Sequence, residues 1–448
     1  MRLPVFLLLI LATAVNADEL LIRNVTVIDP LQGNVGSHDV HIRNGVIENL
    51  QPPSTVSGES RATIIDGTGK FMVPGLADMH VHLEHFQDPA ILQQFLDFGI
   101  TFVRNMDGRP YLLEWRKKVS DGKLPGPEIY TAGPIIDGER LTDPAHVSVN
   151  DAETARAATI VQHDAGYDFI KSYHGLSEEA FAAIQSTAQN IGLKTAGHIP
   201  FRMEMPSAVS KGLGSIEHLD GYDELIESDA SPFRHRWHWK KMIFAFPVDA
   251  ERMHAIAKKT AGIDALNIPT MVAKDWRWLN PQINEACRQR AATLDVPAAI
   301  HETWSPANWT GQRKALAENL TNSDMQDIRQ GLANMHKLVG ALHGSGATLM
   351  AGTDTPNPCV IPGLSLHEEL EHFVAAGLSP LEALRAATST PARWLDREEQ
   401  QGCVKTGCAA DLLLLRSDPT DSVRALRQID MIIIDGNQHE NEEPALGQ

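Results

Sequence analysis

Basic residues are scarce in this chain. Its 39 lysines and arginines face 57 aspartates and glutamates, a formal net charge of −18. No Lys/Arg run offsets that deficit, so a phosphate backbone is repelled and nucleic acid is excluded as a partner. Cysteine is rarer still, with four in 448 residues and no Cys-x-x-Cys spacing, which argues against a cysteine-built metal site. A chain of this size does not need disulfides or metals merely to fold. Low-complexity stretches and short fixed-period repeats are absent, and an apolar content of 43% with 21% charged residues is that of a globular protein, not a disordered or fibrous one.

After the first residues, no apolar run reaches bilayer-spanning length. Residues 1–17, MRLPVFLLLILATAVNA, form a signal peptide by pattern: Arg2 is the positive start, Val5–Leu11 the apolar run, and Val15-Asn16-Ala17 the small-residue cleavage site. The apolar run is too short to remain as an anchor. The expectation is an exported protein, periplasmic or secreted, with no stable membrane anchor after cleavage. Cys403 and Cys408 lie close enough in sequence to pair in an oxidising compartment, though spacing alone leaves that pairing open. Asn24, Asn308 and Asn319 head glycosylation sequons that carry meaning only in a eukaryotic host.

Both chain ends read as β-structure. LLIRNVTVID and VHIRNGVIENL are β-rich, with Asn44-Gly45 as a hairpin turn, and Ala62–Phe71 reads as a further strand pair around Asp66-Gly67. Near the other end, Ala410–Leu415 and Met431–Gly436 are similar strands. Between them, strand-like segments alternate with helical ones such as Ser177–Asn190 and Pro380–Ala387. The strands are Gly75–His82, Ile100–Met106, Glu128–Ala132, Phe169–Tyr173, Lys194–Ile199, Ser215–Leu219, Asn267–Ala273 and Thr348–Asp354. Eight strands interleaved with helices predict an α/β fold, a (β/α)8 TIM barrel, over residues 74–403. A small, discontinuous β-sandwich domain from residues 18–73 and 404–440 would bracket it. Tyr222–Gly346 breaks the regular spacing with the cluster FRHRWHWKK and with Trp276 and Trp278, readable as helix-face packing or as a lid or pocket wall at the barrel mouth.

Polar residues recur where those strands should end. His80 and His82 in PGLADMHVHLE share one face of a strand, so both imidazoles can approach one metal ion. Lys171 lies in FIKSY, His198 in KTAGHIP, His218 after Ser215-Ile216-Glu217, and Asp354 after LMAGT. Singly, each has a structural explanation: a hydrogen-bonded histidine, a solvated rim lysine, a turn aspartate. Four histidines, a lysine and a carboxylate on one barrel face predict a metal site.

These motifs, in this order, resemble those of the amidohydrolase superfamily, in its imidazolonepropionase-like and metal-dependent dipeptidase-like branch. PGLADMHVHLE, IKSY, AGHIP, SIEHLDG and MAGTDT carry the resemblance, with LSPLEALRAATSTPARWL and the tail G-x-x-K-x-G-x-x-A-D-L-L-L-L. It covers nearly all of residues 20–436 and is least defined over 222–346. The resemblance implies two divalent metal ions held by His80, His82, Lys171, His198, His218 and Asp354. Lys171 would be N6-carboxylated, since a carbamate is an anionic, two-oxygen ligand able to join two cations. It further implies a metal-bridging hydroxide as nucleophile, with Asp354 taking its proton and passing it to the leaving amine. Histidine and carboxylate ligands with an open position suit zinc. His146 is a candidate substrate-binding electrophile toward the carbonyl, and Tyr173 a candidate substrate-orienting group.

The expected function is hydrolysis of an amide C–N bond in a small molecule, with a dipeptide or N-acyl amino acid as leading substrate class. The alternatives are a mononuclear deaminase or cyclic-amide (imidazolone-type) hydrolase, against which Lys171 counts, and a lactone or organophosphate hydrolase. A non-catalytic binding protein would be expected to have lost Asp354 or a ligand histidine. Oligomeric state is not legible, and a homo-oligomer is left open.

Overall fold

The structure is a computed structural model and describes residues 19–54, 62–139, 143–263 and 265–439. The expected signal peptide, residues 1–17, lies outside these. Strands Gly33–Arg43 and Val46–Gln51 form the hairpin expected at Asn44-Gly45, whose φ angles of 52° and 75° are the left-handed values a tight two-residue turn requires. Strand Glu19–Asp29 lies antiparallel to the first of these, and Leu412–Leu415 pairs antiparallel with Phe71–Pro74. Both chain ends thus share one eight-stranded sheet. Its core holds Ile22, Val25, Val27, Val40, Ile42, Met72, Leu412 and Leu414.

Ala62–Phe71 is not a hairpin. Thr63–Asp66 and Phe71–Pro74 each run parallel to Glu19–Asp29 and not against one another. The turn between them, closed by the Lys70 amide on the Gly67 carbonyl at 2.9 Å, moves the chain along the same neighbour without reversing it.

The rest of the chain is a (β/α)8 barrel, and the terminal strands form its β-sandwich domain. Seven barrel strands are Leu76–Val81, Ile100–Asn105, Glu128–Thr131, Phe169–Ser172, Lys194–Gly197, Ser215–Glu217 and Leu266–Ile268. They pair in parallel, and a bridge between Ala132 and Phe169 joins the third to the fourth. The eighth position is irregular. Residues 349–355 bridge Asn267 on one side and Val81 on the other, with the Met79 amide on the Ala351 carbonyl at 3.0 Å, so the barrel closes without a continuous ladder. Gly352 permits this approach, since a Cβ there would fall 2.8 Å from that of His80 and 2.7 Å from Ile268.

The seventh strand ends earlier than the sequence suggests. Thr270 takes a left-handed φ of 46° and turns the chain into the helix Met271–Lys274, whose first two amides, at 3.0 and 2.9 Å, are held by the buried Glu369 carboxyl group. The LSPLEAL segment has a local cause of its own: Ser379 and Glu382 form a capping box with Pro380 at the first helical position. Residues 222–346 include helices Ala250–Ala261, Pro281–Thr293 and Asn322–Gly344, and Ile328 on the last of these belongs to an apolar cluster with Trp278 and Trp309. Among the described residues no helix is long and apolar enough to cross a membrane.

Candidate metal centre

The strand ends bring the expected residues together at one barrel mouth. The Asp354 Oδ1 atom lies 3.3 Å from Nε2 of His80 and 3.2 Å from Nε2 of His82, while its Oδ2 lies 3.7 Å from Nδ1 of His218. The His80 and His218 rings are 4.5 Å apart between centroids, and those of His198 and His218 4.9 Å. Lys171 is buried on the fourth strand, and its ammonium feels the carboxylates of Glu217 and Asp354. His218 and Asp354 have left-handed φ angles of 59° and 63°, strain of about 1–3 kcal/mol each that the surrounding barrel must hold in place.

These donors fit a bound cation. Nζ of Lys171, Nε2 of His80 and Nδ1 of His198 are buried and have no hydrogen-bond partner, a costly arrangement unless something else satisfies them. Burial opposes charge on His82, yet Glu84 and Asp354 outweigh it and lift its pKa to about 10, so the carboxylates demand positive charge at this point. Burial likewise disfavours the charged form of Lys171 and lowers its pKa to about 8, against the pull of Glu217 and Asp354. Asp354 stays ionised despite burial because His218 and His80 hold its pKa well below the usual carboxylate range.

A second layer, missed in the sequence, orients this set. Glu217 Oε2 accepts from Nδ1 of His80 at 2.6 Å, which turns Nε2 toward Asp354. The other Glu217 oxygen takes Nη2 of Arg104 at 2.8 Å, and Arg104 also donates to the Met79 carbonyl and Ser215 Oγ at 2.6 and 3.1 Å. Arg104 and His80 keep Glu217 ionised in spite of its complete burial. Glu84 holds Nδ1 of His82 at 2.6 Å, and Thr270 Oγ1 contacts Nδ1 of His218 at 2.7 Å. Asp220 lies 3.2 Å from Nε2 of His174 and 3.5 Å from Nδ1 of His198, and accepts the Ile199 amide at 2.8 Å. Glu84, Glu217 and Asp220 each lie within two residues of a ligand candidate, and that adjacency was the available signal.

His146 and Tyr173 extend the site outward. His146 packs edge-on against Tyr173 at 5.2 Å, and Tyr173 against His198 at 4.4 Å, with Nδ1 of His146 3.5 Å from Asp137. Burial raises the Tyr173 pKa, so its hydroxyl remains a donor. Phe201, 76% exposed, stacks on His174 at 4.7 Å and forms part of the rim.

The irregular segment is both packed and tethered. Cys287 and Cys359 form a disulfide that ties helix Pro281–Thr293 to the loop after Asp354, and Nε1 of Trp304 donates to the Pro356 carbonyl at 3.0 Å. Cys403 and Cys408 are also paired, so all four cysteines are cystines. In FRHRWHWKK, Lys240 pairs with Asp324 and Asp327, and Lys241 with Glu224 and Glu227. Within that cluster Lys241 is buried, while Trp237 remains 68% exposed.

Known proteins agree with this architecture. Residues 71–438 match the model of the Amidohydrolase family. Among solved structures, bottromycin amidohydrolase superposes with a TM-score of 0.73 at 23% identity, covering 95% of this chain and 88% of that one. A putative prolidase from Bifidobacterium longum gives 0.66 at 22% identity, covering 95% and 96%, and a Xaa-Pro dipeptidase with bound methionine gives 0.66 at 19%, covering 95% and 100%. Curated relatives match over a short stretch: a dihydroorotase from Trichlorobacter lovleyi is 43% identical over 72 residues, 16% of either chain. A dihydropyrimidinase from Arabidopsis thaliana is 38% identical over 69 residues, 15% of this chain and 12% of that protein. The chain therefore spans about an eighth to a sixth of the length of the curated relatives it matches. With the family model covering most of its length, the chain belongs to the amidohydrolase family of hydrolases.

Proposed function

We propose that this chain is an exported amidohydrolase that uses two divalent cations to cleave an amide C–N bond in a dipeptide or N-acyl amino acid. The observation that carries the reading is the approach of His80, His82 and His218 to Asp354 beside the unpartnered amine of Lys171. His80, His82, His198, His218, Asp354 and a carboxylated Lys171 would hold the two ions. Zinc suits these ligands, and the bound pair would supply Lewis acidity toward a carbonyl oxygen and acidify water.

The protein's own groups then divide the work. Asp354, ionised and adjacent to three imidazoles, takes the proton of the attacking water and delivers it to the departing amine. Amide and water become carboxylate and amine, with no other reactant. The neutral form of the Lys171 amine, favoured by burial, captures carbon dioxide and releases a proton on becoming the carbamate. His146 and Tyr173 would donate toward a substrate oxygen on the His198 side, a role supported by the packing of Tyr173 against both His146 and His198.

Peptide-like amides are supported by structural neighbours described as a putative prolidase and a Xaa-Pro dipeptidase. Export is supported by the leader pattern of residues 1–17 and by two disulfides, which suit an oxidising compartment. The test is a screen of dipeptides and N-acyl amino acids with the zinc-loaded protein. Turnover of at least one class, abolished by a chelator and restored by metal, is expected; turnover that persists without metal would overturn the reading.

A further inference from the structure

Lys274 is a cation without an assigned task. It ends the short helix Met271–Lys274, directly after the seventh barrel strand, on the face where barrel enzymes bind their substrates. Two contacts fix this segment to the centre: Thr270, four residues earlier, touches His218, and Glu369 holds the amides of Met271 and Val272. The Lys274 side chain is half-buried, and its ammonium donates to the main-chain carbonyl of Met242 at 3.1 Å. Among the described residues no carboxylate lies within ion-pair distance of it. Its basic neighbours differ in this respect. Lys240, Lys241 and Arg277 each have an aspartate or glutamate partner.

Carboxylates of the candidate centre act on the charge at this position. Burial lowers the pKa of Lys274, while Asp220, Asp354 and Asp223 pull it upward, and Asp354 and Asp220 each belong to a group of candidate metal ligands. A half-buried ammonium with one neutral acceptor has hydrogen-bonding capacity to spare. In a chain of net charge −18, an anionic substrate gains from a local cation at this point.

We propose that Lys274 binds the free carboxylate of the substrate, so that the enzyme selects dipeptides and N-acyl amino acids over the same molecules with a neutral carboxyl end. The assignment rests on the amidohydrolase reading above and adds a residue that reads substrate charge. A charge-assisted hydrogen bond of this kind corresponds to about 10- to 100-fold in affinity.

The experiment compares a panel of dipeptides and N-acyl amino acids with their C-terminally amidated counterparts, using zinc-loaded wild type, Lys274→Met and Lys274→Arg. Each variant is first matched to wild type in metal content and unfolding midpoint. Wild type should prefer the free acids by about 10- to 100-fold in kcat/KM, mainly through KM. Lys274→Met should lose that preference without losing activity on the amidated compounds, and Lys274→Arg should keep most of it. A preference that survives in Lys274→Met overturns the assignment. Calorimetric binding of the same panel separates this failure from failure of the broader reading. Binding of the acids that depends on Lys274, without any hydrolysis, sinks the amidase reading and leaves the carboxylate site standing. Equal binding of acids and amides to wild type sinks the carboxylate site.

Discussion

Glu217 lies 2.6 Å from Nδ1 of His80 at the floor of the metal centre, and neither side chain is exposed to solvent. The same carboxylate neutralises Arg104, so one buried anion both orients a candidate metal ligand and balances a buried cation. Glu217→Gln should weaken metal binding by about 10- to 100-fold. It should also cost about 3–5 kcal/mol of folding stability, because Arg104 loses its counter-charge. Chelator competition and denaturant unfolding measure the two effects separately. Wild-type metal affinity in this variant would contradict the orienting role.

Asp354→Asn keeps the size of the side chain and an oxygen ligand but removes the base. The variant should retain metal and lose about 100- to 10,000-fold in turnover. Activity equal to wild type in a metal-loaded Asp354→Asn enzyme would remove Asp354 from the proton path.

The Cys287–Cys359 bridge closes a loop across 72 positions and holds the tryptophan-rich segment against the loop after Asp354. Replacing both cysteines with serine should lower stability by about 2–4 kcal/mol. The freed segment should raise KM more than it lowers kcat. Thermal unfolding and steady-state kinetics would show this, and a variant unchanged in both would mean that Trp304 and the apolar packing hold the segment alone.

Glu369 gives a pH dependence of stability that does not involve the ligands. Burial pushes its pKa from 4.5 to about 8, outweighing the two amides that favour its charged form. Within that window the native state holds a proton that the unfolded chain has released. Stability from this group is therefore full below the unfolded value and declines as pH rises toward the folded one. Glu369→Gln cannot ionise, so its unfolding midpoint relative to wild type should climb between about pH 5 and about pH 8.5. A constant difference across that range would show that Glu369 does not titrate there.

The ligand candidates were legible because barrel strands end in a common place and each carries its polar residue there. His80 and His82 share a face through strand alternation, and that rule alone brings them together. The rule hides Glu217, which precedes His218 and should point away from it. The left-handed backbone at His218 breaks the alternation and lets both residues serve one centre. Lys274 was obscured differently: Asn267–Ala273 reads as strand, whereas Thr270 turns the chain into a helix that carries Lys274 to the mouth. The pairing of Cys287 with Cys359 bridges 72 positions, a distance over which sequence spacing says nothing about geometry. At the chain ends, the hairpin at Asn44-Gly45 followed from its turn chemistry, while the parallel course of Thr63–Asp66 and Phe71–Pro74 depended on a neighbour distant in sequence.

The most direct test of the account is the number of metal ions bound per chain, measured by elemental analysis on zinc-loaded wild type and Lys171→Ala, each assayed in parallel for amide hydrolysis. Two ions in wild type, fewer in Lys171→Ala, and partial recovery of the variant by added short carboxylates are the predicted result. One ion in wild type with no amide turnover, or two ions in both proteins with no effect of added carboxylate, would contradict it.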